Sequence, residues 1–338
     1  MKVLIIHNAP ADPVRWRDEH LSDTSVSEAA DAVASALTAL GHTTFQAGID
    51  KNPTTLLNAV QESGPDVVFN LCETIAGNSR LEAAVPYLLR WLDMPFTGNS
   101  PETLSIFIDK ILSKRLIRDL GIHTPLFDAI YETSNLASWS IWPAIMKPAA
   151  EDASLGIDSG SVVKTPAAAM ARFQLLAERF GTPVLIEEFI EGREINAAVL
   201  QTVKGLRIGV NEIDFSRMSV DQPHILTYES KWKEDSPDYL QTPVKAPANL
   251  PEPLNTQIRG VAGALFQQLG FQGYARVDFR IDERGQPWVL EVNPNPDLSP
   301  DAGLAKAFPE MGLDYQSAME VILQTPLRRR EAPRDHHN

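Results

Sequence analysis

The sequence predicts an α/β protein that begins with a parallel sheet and continues into a strand-rich α+β region. Over residues 1–95, short apolar runs alternate with helical patterns, and strands separated by helices form parallel sheets with helices on their faces. From residue 184 onward, strand patterns follow one another, with one long helical pattern at residues 254–269 between them. We therefore expect three units and a disordered tail, at residues 1–95, 96–183, 184–326 and 327–338.

Three strands and three helices are expected in the first unit. Apolar runs bounded by polar residues or glycine predict strands at residues 3–7, 43–46 and 66–70. Helical patterns, the first of them ended by Gly41, predict helices at residues 27–40, 54–62 and 81–92. Since a parallel sheet binds ligands beyond the carboxyl ends of its strands, we expect the polar segments 8–25 and 71–79 to border a site.

The second and third units are expected to be richer in strands. One helix is predicted to follow Gly98 without interruption, at residues 102–120. A short strand at 144–147, a polar loop at 148–160, a strand at 161–163 and a helix at 167–180 come next. The remaining strands are predicted at residues 184–190, 194–200, 206–215, 274–281 and 288–292.

The composition is that of a globular protein with an acidic surface. Hydrophobic residues make up 43% of the 338 residues, which is enough for a sizeable core. A net charge of −14 argues against binding to a nucleic-acid backbone, whose phosphates need a basic surface. The single cysteine, Cys72, excludes an internal disulfide, and no apolar run suits a secretory leader or a membrane span. We therefore expect a cytoplasmic protein with neither nucleic-acid nor membrane partners, in which Cys72 is a small buried residue rather than a nucleophile.

Residues 273–293 predict a hairpin that carries several charged side chains. Two alternating strands flank Arg284 and Gly285, which form the pattern of a two-residue turn. Counting outward from that turn sets Asp278 opposite Glu291. One face then carries Arg276, Asp278, Glu291 and Asn293, and the other carries Val277, Phe279, Leu290 and Val292.

The paired carboxylates of this hairpin predict a metal site. Like charges on directly opposed residues repel, and a hard divalent cation such as Mg²⁺ removes the repulsion by binding carboxylate and amide oxygens. Asp278, Glu291 and Asn293 offer that ligand set, and the proline-containing segment 293–297 cannot extend a central strand, which favours a site. The alternative is a solvent-exposed hairpin whose carboxylates are screened by water and Arg276.

The chain contains neither of the common glycine-rich phosphate-binding motifs, G-x-x-x-x-G-K-[ST] and G-x-G-x-x-G. A bound nucleotide would therefore need individual cations, and Lys110, Lys147 and Lys231 are the candidates. Lys114, one turn beyond Lys110, is interpreted as an exposed helical lysine. Acids at neighbouring strand ends, which would bind a ribose and an adenine amine, are Glu187, Glu188 and Glu194. The alternative for all these residues is a set of exposed, solubilising charges.

Taken together, these segments resemble the ATP-grasp superfamily, and within it the D-alanine–D-alanine ligase branch. The resemblance runs from about residue 95 to residue 323, with a looser match over the N-terminal unit. The matching fragments are PFTG at 95–98, IDK at 108–110 with Lys114, MKP at 146–148, ASLG at 153–156, LIEEF at 185–189 with Arg193 and Glu194, YESK at 228–231, ARVD at 275–278 and LEVN at 290–293. Each fragment is weak alone, but their order makes the resemblance specific.

The resemblance implies a parallel-sheet, pre-ATP-grasp domain followed by a two-subdomain ATP-grasp fold with ATP between the subdomains. It assigns the phosphates to Lys110, Lys147 and the loop of Ser154, and the adenine and ribose to Glu187, Glu188, Ile190 and Glu194. It assigns Mg²⁺, or Mn²⁺, to Asp278, Glu291 and Asn293. It makes Lys231 the lysine that reaches the γ-phosphate, and Arg276 the arginine that stabilises an acyl phosphate.

The implied activity is an ADP-forming ligation of two small molecules, a carboxylate and an amine, through an acyl-phosphate intermediate. Two alternatives use the same nucleotide site: a small-molecule kinase, and a catalytically silent ATP-binding regulator. Retention of Arg276 beside all three metal ligands argues against the regulator, which needs no residue for a transition state. The resemblance also implies a homodimer formed through the N-terminal domain.

The sequence departs from the dipeptide ligases on both substrate walls. Residues 70–78, NLCETIAGN, replace an H-G-x-x-G-E-D-G segment, and the long segment 8–25 replaces a glycine-rich loop. After the metal strand, residues 293–301, NPNPDLSPD, replace a small loop rich in serine and glycine. We expect an amino-acid or amino-acid-conjugate substrate larger than alanine. Arg15 or Arg17 is expected to bind its carboxylate, and Asp297 with Asp301 on the opposite wall is expected to bind an ammonium group. Solvated charges on a polar loop are the alternative.

Overall fold

The computed structural model describes residues 1–9 and 21–331, and it contains three sheets. One sheet is parallel and two are antiparallel, which confirms the predicted class of an α/β unit followed by α+β units. Among the helices of the described residues, none combines the length and the apolar composition that a membrane crossing requires.

The N-terminal sheet is formed by β1 (Lys2–Asn8), β2 (Thr43–Ile49) and β3 (Val67–Asn70). The strand order is β2-β1-β3 and all pairs are parallel. Its helices are α1 (Leu21–Ala39), α2 (Pro53–Ser63) and α3 (Ala84–Trp91). Strands β1 and β3 are apolar because helices cover both faces of the sheet, whereas the edge strand β2 is more polar and exposed. The carboxyl end of β3 lies beside the loop that follows β12, since Asn295 donates to the carbonyl of Cys72.

Helix α1 begins at Leu21, six residues before the predicted start at residue 27. The expected loop of residues 8–25 is therefore shorter than predicted. Val26 explains the difference, because it is buried in a core shared with the last helix, and this packing offsets the polar character of the segment.

The predicted single helix at residues 102–120 is two helices, α4 (Pro101–Phe107) and α5 (Lys110–Asp119). Asp109 separates them, since its carboxylate accepts hydrogen bonds from the backbone N–H groups of Ile111 and Leu112 at 2.9 and 3.0 Å. This is an N-cap, which starts a new helix. The backbone N–H of Lys110 donates to the carbonyl of Ala149, so the break also directs the start of α5 toward a loop of the second sheet.

The second sheet has the order β4-β7-β5-β6 and is antiparallel. Its strands are β4 (Phe127–Ile130), β5 (Ala144–Pro148), β6 (Val162–Val163) and β7 (Val184–Glu188), and α6 (Pro166–Phe180) packs on one face. Strand β4 was not predicted, because a four-residue edge strand carries too little alternation to recognise.

The third sheet has the order β10-β9-β8-β11-β12 and is antiparallel. Its strands are β8 (Arg193–Thr202), β9 (Gly205–Ile213), β10 (Val244–Lys245), β11 (Tyr274–Ile281) and β12 (Pro287–Asn293). The accompanying helices are α7 (Tyr228–Trp232), α8 (Pro237–Gln241), α9 (Glu252–Gln268), α10 (Gly303–Lys306) and α11 (Tyr315–Glu331).

Helix α11 returns to the N-terminal unit and packs against α1. It extends five residues beyond the predicted start of a disordered tail at residue 327, because Leu327 packs against the shared core. Residues 332–338 lie outside the described residues.

Candidate active site

The hairpin of β11 and β12 has the predicted pairing, with Asp278 opposite Glu291 and Arg276 opposite Asn293. The pairing arises differently from the prediction. The turn holds three residues rather than two, since Asp282 pairs with Gln286, and a β-bulge follows at Leu290. These two deviations cancel, so that the residues beyond the bulge recover the predicted register.

The bulge corrects the predicted position of Leu290. Phe279 pairs with Val289 instead, and Val289 is the residue that enters the core. Leu290 lines the cleft between the second and third sheets. A bulge next to a site commonly redirects one side chain in this way.

Asp278 is 7% exposed and is held by two donors, which rules out the exposed-hairpin alternative. Arg276 donates to both carboxylate oxygens at 2.7 Å, and Nδ2 of Asn196 donates to Oδ1 at 2.7 Å. Burial disfavours the charged form of Arg276, but the charge and hydrogen bonds of Asp278, together with the charges of Glu291 and Glu194, raise the pKa of the guanidinium. Asn196 faces Asp278 because β8 pairs with β11 in that register.

Glu291 lies beside Lys110, with Nζ 3.5 Å from Oε2. Lys110 also pairs with Asp152 at 2.8 Å, in the loop that follows β5. Burial opposes the ionisation of Glu291, but Lys110 and neighbouring cations outweigh it and hold its pKa below the ordinary value. Glu291 is therefore an ionised oxygen donor at neutral pH.

A buried cluster joins two lysines to Glu187, which is 2% exposed. Lys147 lies 2.5 Å from Oε1 and Lys114 lies 2.6 Å from Oε2. The interpretation of Lys114 as an exposed lysine was wrong, since it is only 1% exposed. Burial lowers the pKa of Lys114. Burial also opposes ionisation of Glu187, but the charges of Lys114 and Lys147 hold the pKa of its carboxyl group below the ordinary value.

Glu194 is buried and pairs with Arg280 at 2.9 Å, so it is not an exposed strand-end charge. Burial raises the pKa of its carboxyl group. Lys231 lies on α7 and faces the same cleft, and no acidic side chain of the described residues forms an ion pair with it. Burial, and then the charge of Arg276, lower the pKa of Lys231. An anionic ligand bound beside Lys231 would stabilise its charged form.

Two segments that border the cleft are fastened to each other. The indole N–H of Trp232 donates to the carbonyl of Ala153 at 2.9 Å, and the backbone N–H of Tyr228 donates to Ile157 at 3.1 Å. Ala153 and Ser154 have φ angles of 56° and 60°, a conformation that strains residues other than glycine. The loop of Ser154 is thus held over the cleft by the helix that carries Lys231.

These groups surround one cleft of about 790 Å³ between the second and third sheets and the carboxyl ends of the N-terminal strands. The predicted residues that line it are Lys147, Ser154, Glu187, Glu188, Ile190, Glu194, Lys231, Arg276, Asp278, Glu291, Asn293 and Asp297. Lys110 lies directly behind this wall, through its contacts to Asp152 and Glu291. Arg15 and Arg17 lie outside the described residues.

The donor set fits the chemistry of a hard divalent cation. Asp278 and Glu291 offer carboxylate oxygens, and Asn293 offers an amide oxygen that also accepts a 2.8 Å hydrogen bond from the backbone N–H of Asn295. Within residues 1–9 and 21–331, no three His, Cys, Asp or Glu side chains are grouped to hold a metal on their own. Two carboxylates and an amide suit a cation that substrate phosphates help to coordinate.

The far end of the cleft carries acids and an asparagine network. Asn295 donates to the carbonyl of Cys72 at 2.9 Å and to Oε1 of Glu82 at 2.8 Å, and it accepts from the hydroxyl of Tyr274. Asp297 accepts two hydrogen bonds from Ser299, and burial raises its pKa. Cys72 is buried, as predicted, and burial raises the pKa of its thiol well above its ordinary value, which disfavours the thiolate.

Sequence reasoning missed four residues that shape the cleft: Glu82, Asp152, Asn196 and Asn295. Asn196 could have been found, since it lies two residues after Glu194 and therefore on the same face of the strand. The other three lie in turns and loops. Their burial depends on partners distant in the chain, which no local pattern reveals.

Comparisons with known proteins agree with this arrangement. A sequence model of the family described as D-ala D-ala ligase C-terminus matches residues 128–324. The D-alanine–D-alanine ligase of Bordetella pertussis is 32% identical over 239 residues, covering 70% of this chain and 71% of that protein. The ligase of Aquifex aeolicus is 28% identical over 295 residues, covering 86% and 92%. An uncharacterized protein, y4sG, of Sinorhizobium fredii is 34% identical over 307 residues, covering 89% and 88%.

The fold is similar to that of a D-alanine–D-alanine ligase from Bacillus anthracis complexed with ATP. The TM-score is 0.75 at 19% identity, with 98% of this chain and 99% of that chain covered. Fold, cleft and relatives together define an ADP-forming carbon–nitrogen ligase with the ATP-grasp fold. The chain belongs to the D-alanine–D-alanine ligase family.

Proposed function

We propose that this protein uses ATP and Mg²⁺ to activate a carboxylate as an acyl phosphate and to join it to an amine, and that its substrates are not two molecules of D-alanine. The observation that carries the proposal is the convergence of Lys147, Lys231 and Arg276 with two directly paired carboxylates in one cleft. Developing negative charge on a transferred phosphoryl group needs this concentration of cations.

Each residue has a task in the proposed reaction. Lys110 and Lys147 bind ATP phosphates, and Lys231 binds the phosphoryl group as it is transferred. Arg276 turns from Asp278 to the acyl phosphate and offsets its negative charge. A cation on Asp278, Glu291 and Asn293, when bound, neutralises phosphate charge and orients the phosphates. The loop of Ser154 covers them and excludes water, which protects an acyl phosphate from hydrolysis.

The walls at the far end of the cleft differ in sequence from those of the dipeptide ligases, which supports a substrate pair other than two molecules of D-alanine. Residues 70–78 and the segment after β12 differ from the dipeptide ligases, and Asp297 adds a half-buried acid there. The binding of a substrate carboxylate by Arg15 or Arg17 belongs to the same proposal. So do a homodimer formed through the N-terminal unit and a cytoplasmic location.

A phosphate-release screen tests the proposal. Amino acids of both configurations are supplied singly and in all pairs, with ATP and Mg²⁺, and both ADP and the ligated product are measured. We expect one pair, including a residue larger than alanine, to release phosphate in step with an amide. ADP formation from a single carboxylate or alcohol, with a stable phosphorylated product, would instead identify a kinase. Full turnover with D-alanine alone would refute the substrate proposal.

A further inference from the structure

Glu82 is a buried carboxylate at the cleft to which the proposed chemistry has given no task. It follows the turn Ser79–Leu81, is 5% exposed and lines the far end of the cleft. Its Oε1 accepts the 2.8 Å hydrogen bond from Asn295, and no donor of the described residues contacts Oε2. Oε2 is therefore available to a ligand in the cleft, and a largely buried carboxylate is stabilised by a cationic partner.

The side chain of Glu82 is held in one orientation by Asn295. That amide is itself fixed, since it donates to the carbonyl of Cys72 and accepts from the hydroxyl of Tyr274 at 3.1 Å. The backbone N–H of Asn295 donates to Oδ1 of Asn293. Glu82 is thus connected through one residue to the place where we expect the carboxylate to be activated.

The charged groups that face Glu82 are acidic. Burial, and then the charge of Asp152, raise the pKa of Glu82 well above its ordinary value, and Glu73 adds to the effect. Lys110 does not offset this acidity at Glu82, since it is paired with Asp152 and Glu291. A carboxylate in this setting binds a cation and holds a proton more readily than an exposed one does.

We propose that Glu82 binds the ammonium group of the amine substrate and accepts the proton that this group must lose before it attacks. The inference rests on the proposed ligase function. The proton moves from the ammonium to Oε2, and the freed lone pair of the nitrogen forms the new bond to the acyl carbon. The bond from that carbon to the phosphate oxygen breaks, and its electron pair leaves with the phosphate. A second nitrogen proton passes to the departing phosphate.

Hydroxylamine separates this role from a structural one, because its nitrogen is uncharged at neutral pH and attacks an acyl phosphate without first losing a proton. We would supply each common amino acid as the carboxylate, with ATP, Mg²⁺ and hydroxylamine, and measure the hydroxamate. The best carboxylate would then be paired with each amino acid as the amine. The variants are Glu82→Gln, which preserves the acceptor for Asn295, and Glu62→Gln, an exposed control on α2.

We expect Glu82→Gln to form hydroxamate as fast as the Glu62→Gln control does. Its rate of amide formation should fall by at least about 100-fold, the lower range for loss of a general base, and should recover as pH rises toward the pKa of the amine. Equal loss of both products, or loss of neither, overturns the role of Glu82. If the wild-type protein forms no hydroxamate with any carboxylate, the proposed function fails, and this inference fails with it.

Discussion

Asp278 and Glu291 are directly paired carboxylates, and a different cationic side chain lies beside each of them. Arg276 donates to both oxygens of Asp278, whereas Lys110 lies 3.5 Å from Glu291. Water cannot screen the pair well, because Asp278 is almost fully buried. A cation that binds both carboxylates must therefore compete with Arg276, and its binding would release the guanidinium toward the substrate.

We expect Asp278→Asn and Glu291→Gln each to reduce ADP formation by at least about 100-fold. Substitution of residues that only hydrogen-bond to metal ligands already reduces activity by up to about 100-fold. The fold should be retained, since each change keeps the shape of the side chain. Calorimetric titration with Mg²⁺ in the presence of a non-hydrolysable ATP analogue should show weaker metal binding. Turnover near that of the wild type in both variants would refute the metal assignment.

Lys114 and Lys147 share Glu187 but face different surroundings, so their replacement should have different effects. Lys147 lines the cleft, and Lys147→Met should weaken ATP binding. Lys114 is fully buried, and Lys114→Met should lower the free energy of unfolding by about 3 kcal/mol, the lower end for breaking a buried ion pair. Urea unfolding and ATP calorimetry measure the two quantities. Wild-type stability of Lys114→Met would contradict this account of the cluster.

Strand β12 divides its side chains between the core and the cleft by means of one extra residue. Val289 is buried in the core cluster that includes residues of α5 and α9, and Leu290, at the bulge, borders the cleft. A regular strand would have sent Leu290 into the core. The bulge therefore supplies an apolar surface to the cleft without disturbing the pair of Asp278 and Glu291.

Alanine substitutions at these two neighbouring positions should separate stability from binding. Val289→Ala should lower the free energy of unfolding by about 2 kcal/mol through lost burial and a small cavity, with little change in KM for ATP. Leu290→Ala should raise KM for ATP by up to about 10-fold, which corresponds to roughly 1.4 kcal/mol of lost apolar contact. Steady-state kinetics and denaturant unfolding test the pair. The reverse pattern would show that Leu290 is the core residue.

The sequence patterns of strands and hairpins predicted most of the elements. These patterns, the alternation of apolar and polar residues and the presence of turn residues, are local and can be recognised within a few positions. The predicted partners of Asp278 were correct only because a longer turn and a bulge offset each other. The helix predicted at residues 102–120 was wrong because Asp109 can either continue a helix or cap a new one, and the contact from Lys110 to Ala149 decides between them. The burial of Lys114 and Glu82 depends on partners far along the chain. Glu82, for example, contacts Asn295, which lies 213 positions away.

The molecule is held together by a core that its first and last helices share. Val33 and Leu37 of α1 pack in one cluster with Phe308 and with Met319 of α11, next to residues of the first and third sheets. The cleft lies between units that this core joins. We therefore expect the N-terminal and C-terminal units to unfold together, and the metal ligands to face the N-terminal wall only when both units are folded.

Phe308→Ala should destabilise the N-terminal and C-terminal units together, since Phe308 is 1% exposed within the shared core. The expected loss is about 3–5 kcal/mol in the free energy of unfolding. Hydrogen exchange measured separately on β1 and on β9 should show equal losses of protection. Loss of protection in β9 alone would mean that the N-terminal unit is stable by itself.

Transfer of oxygen from the carboxylate substrate to phosphate tests the central claim most directly, because formation of an acyl phosphate makes a carboxylate oxygen the bridge to phosphorus. The carboxylate identified by the screen would be labelled with heavy-isotope oxygen and incubated with ATP, Mg²⁺ and the amine. We expect each turnover to place one labelled oxygen in the released phosphate, as measured by mass spectrometry. Unlabelled phosphate released while the amide forms, with the lost carboxylate oxygen found in water, would contradict activation of the carboxylate by ATP.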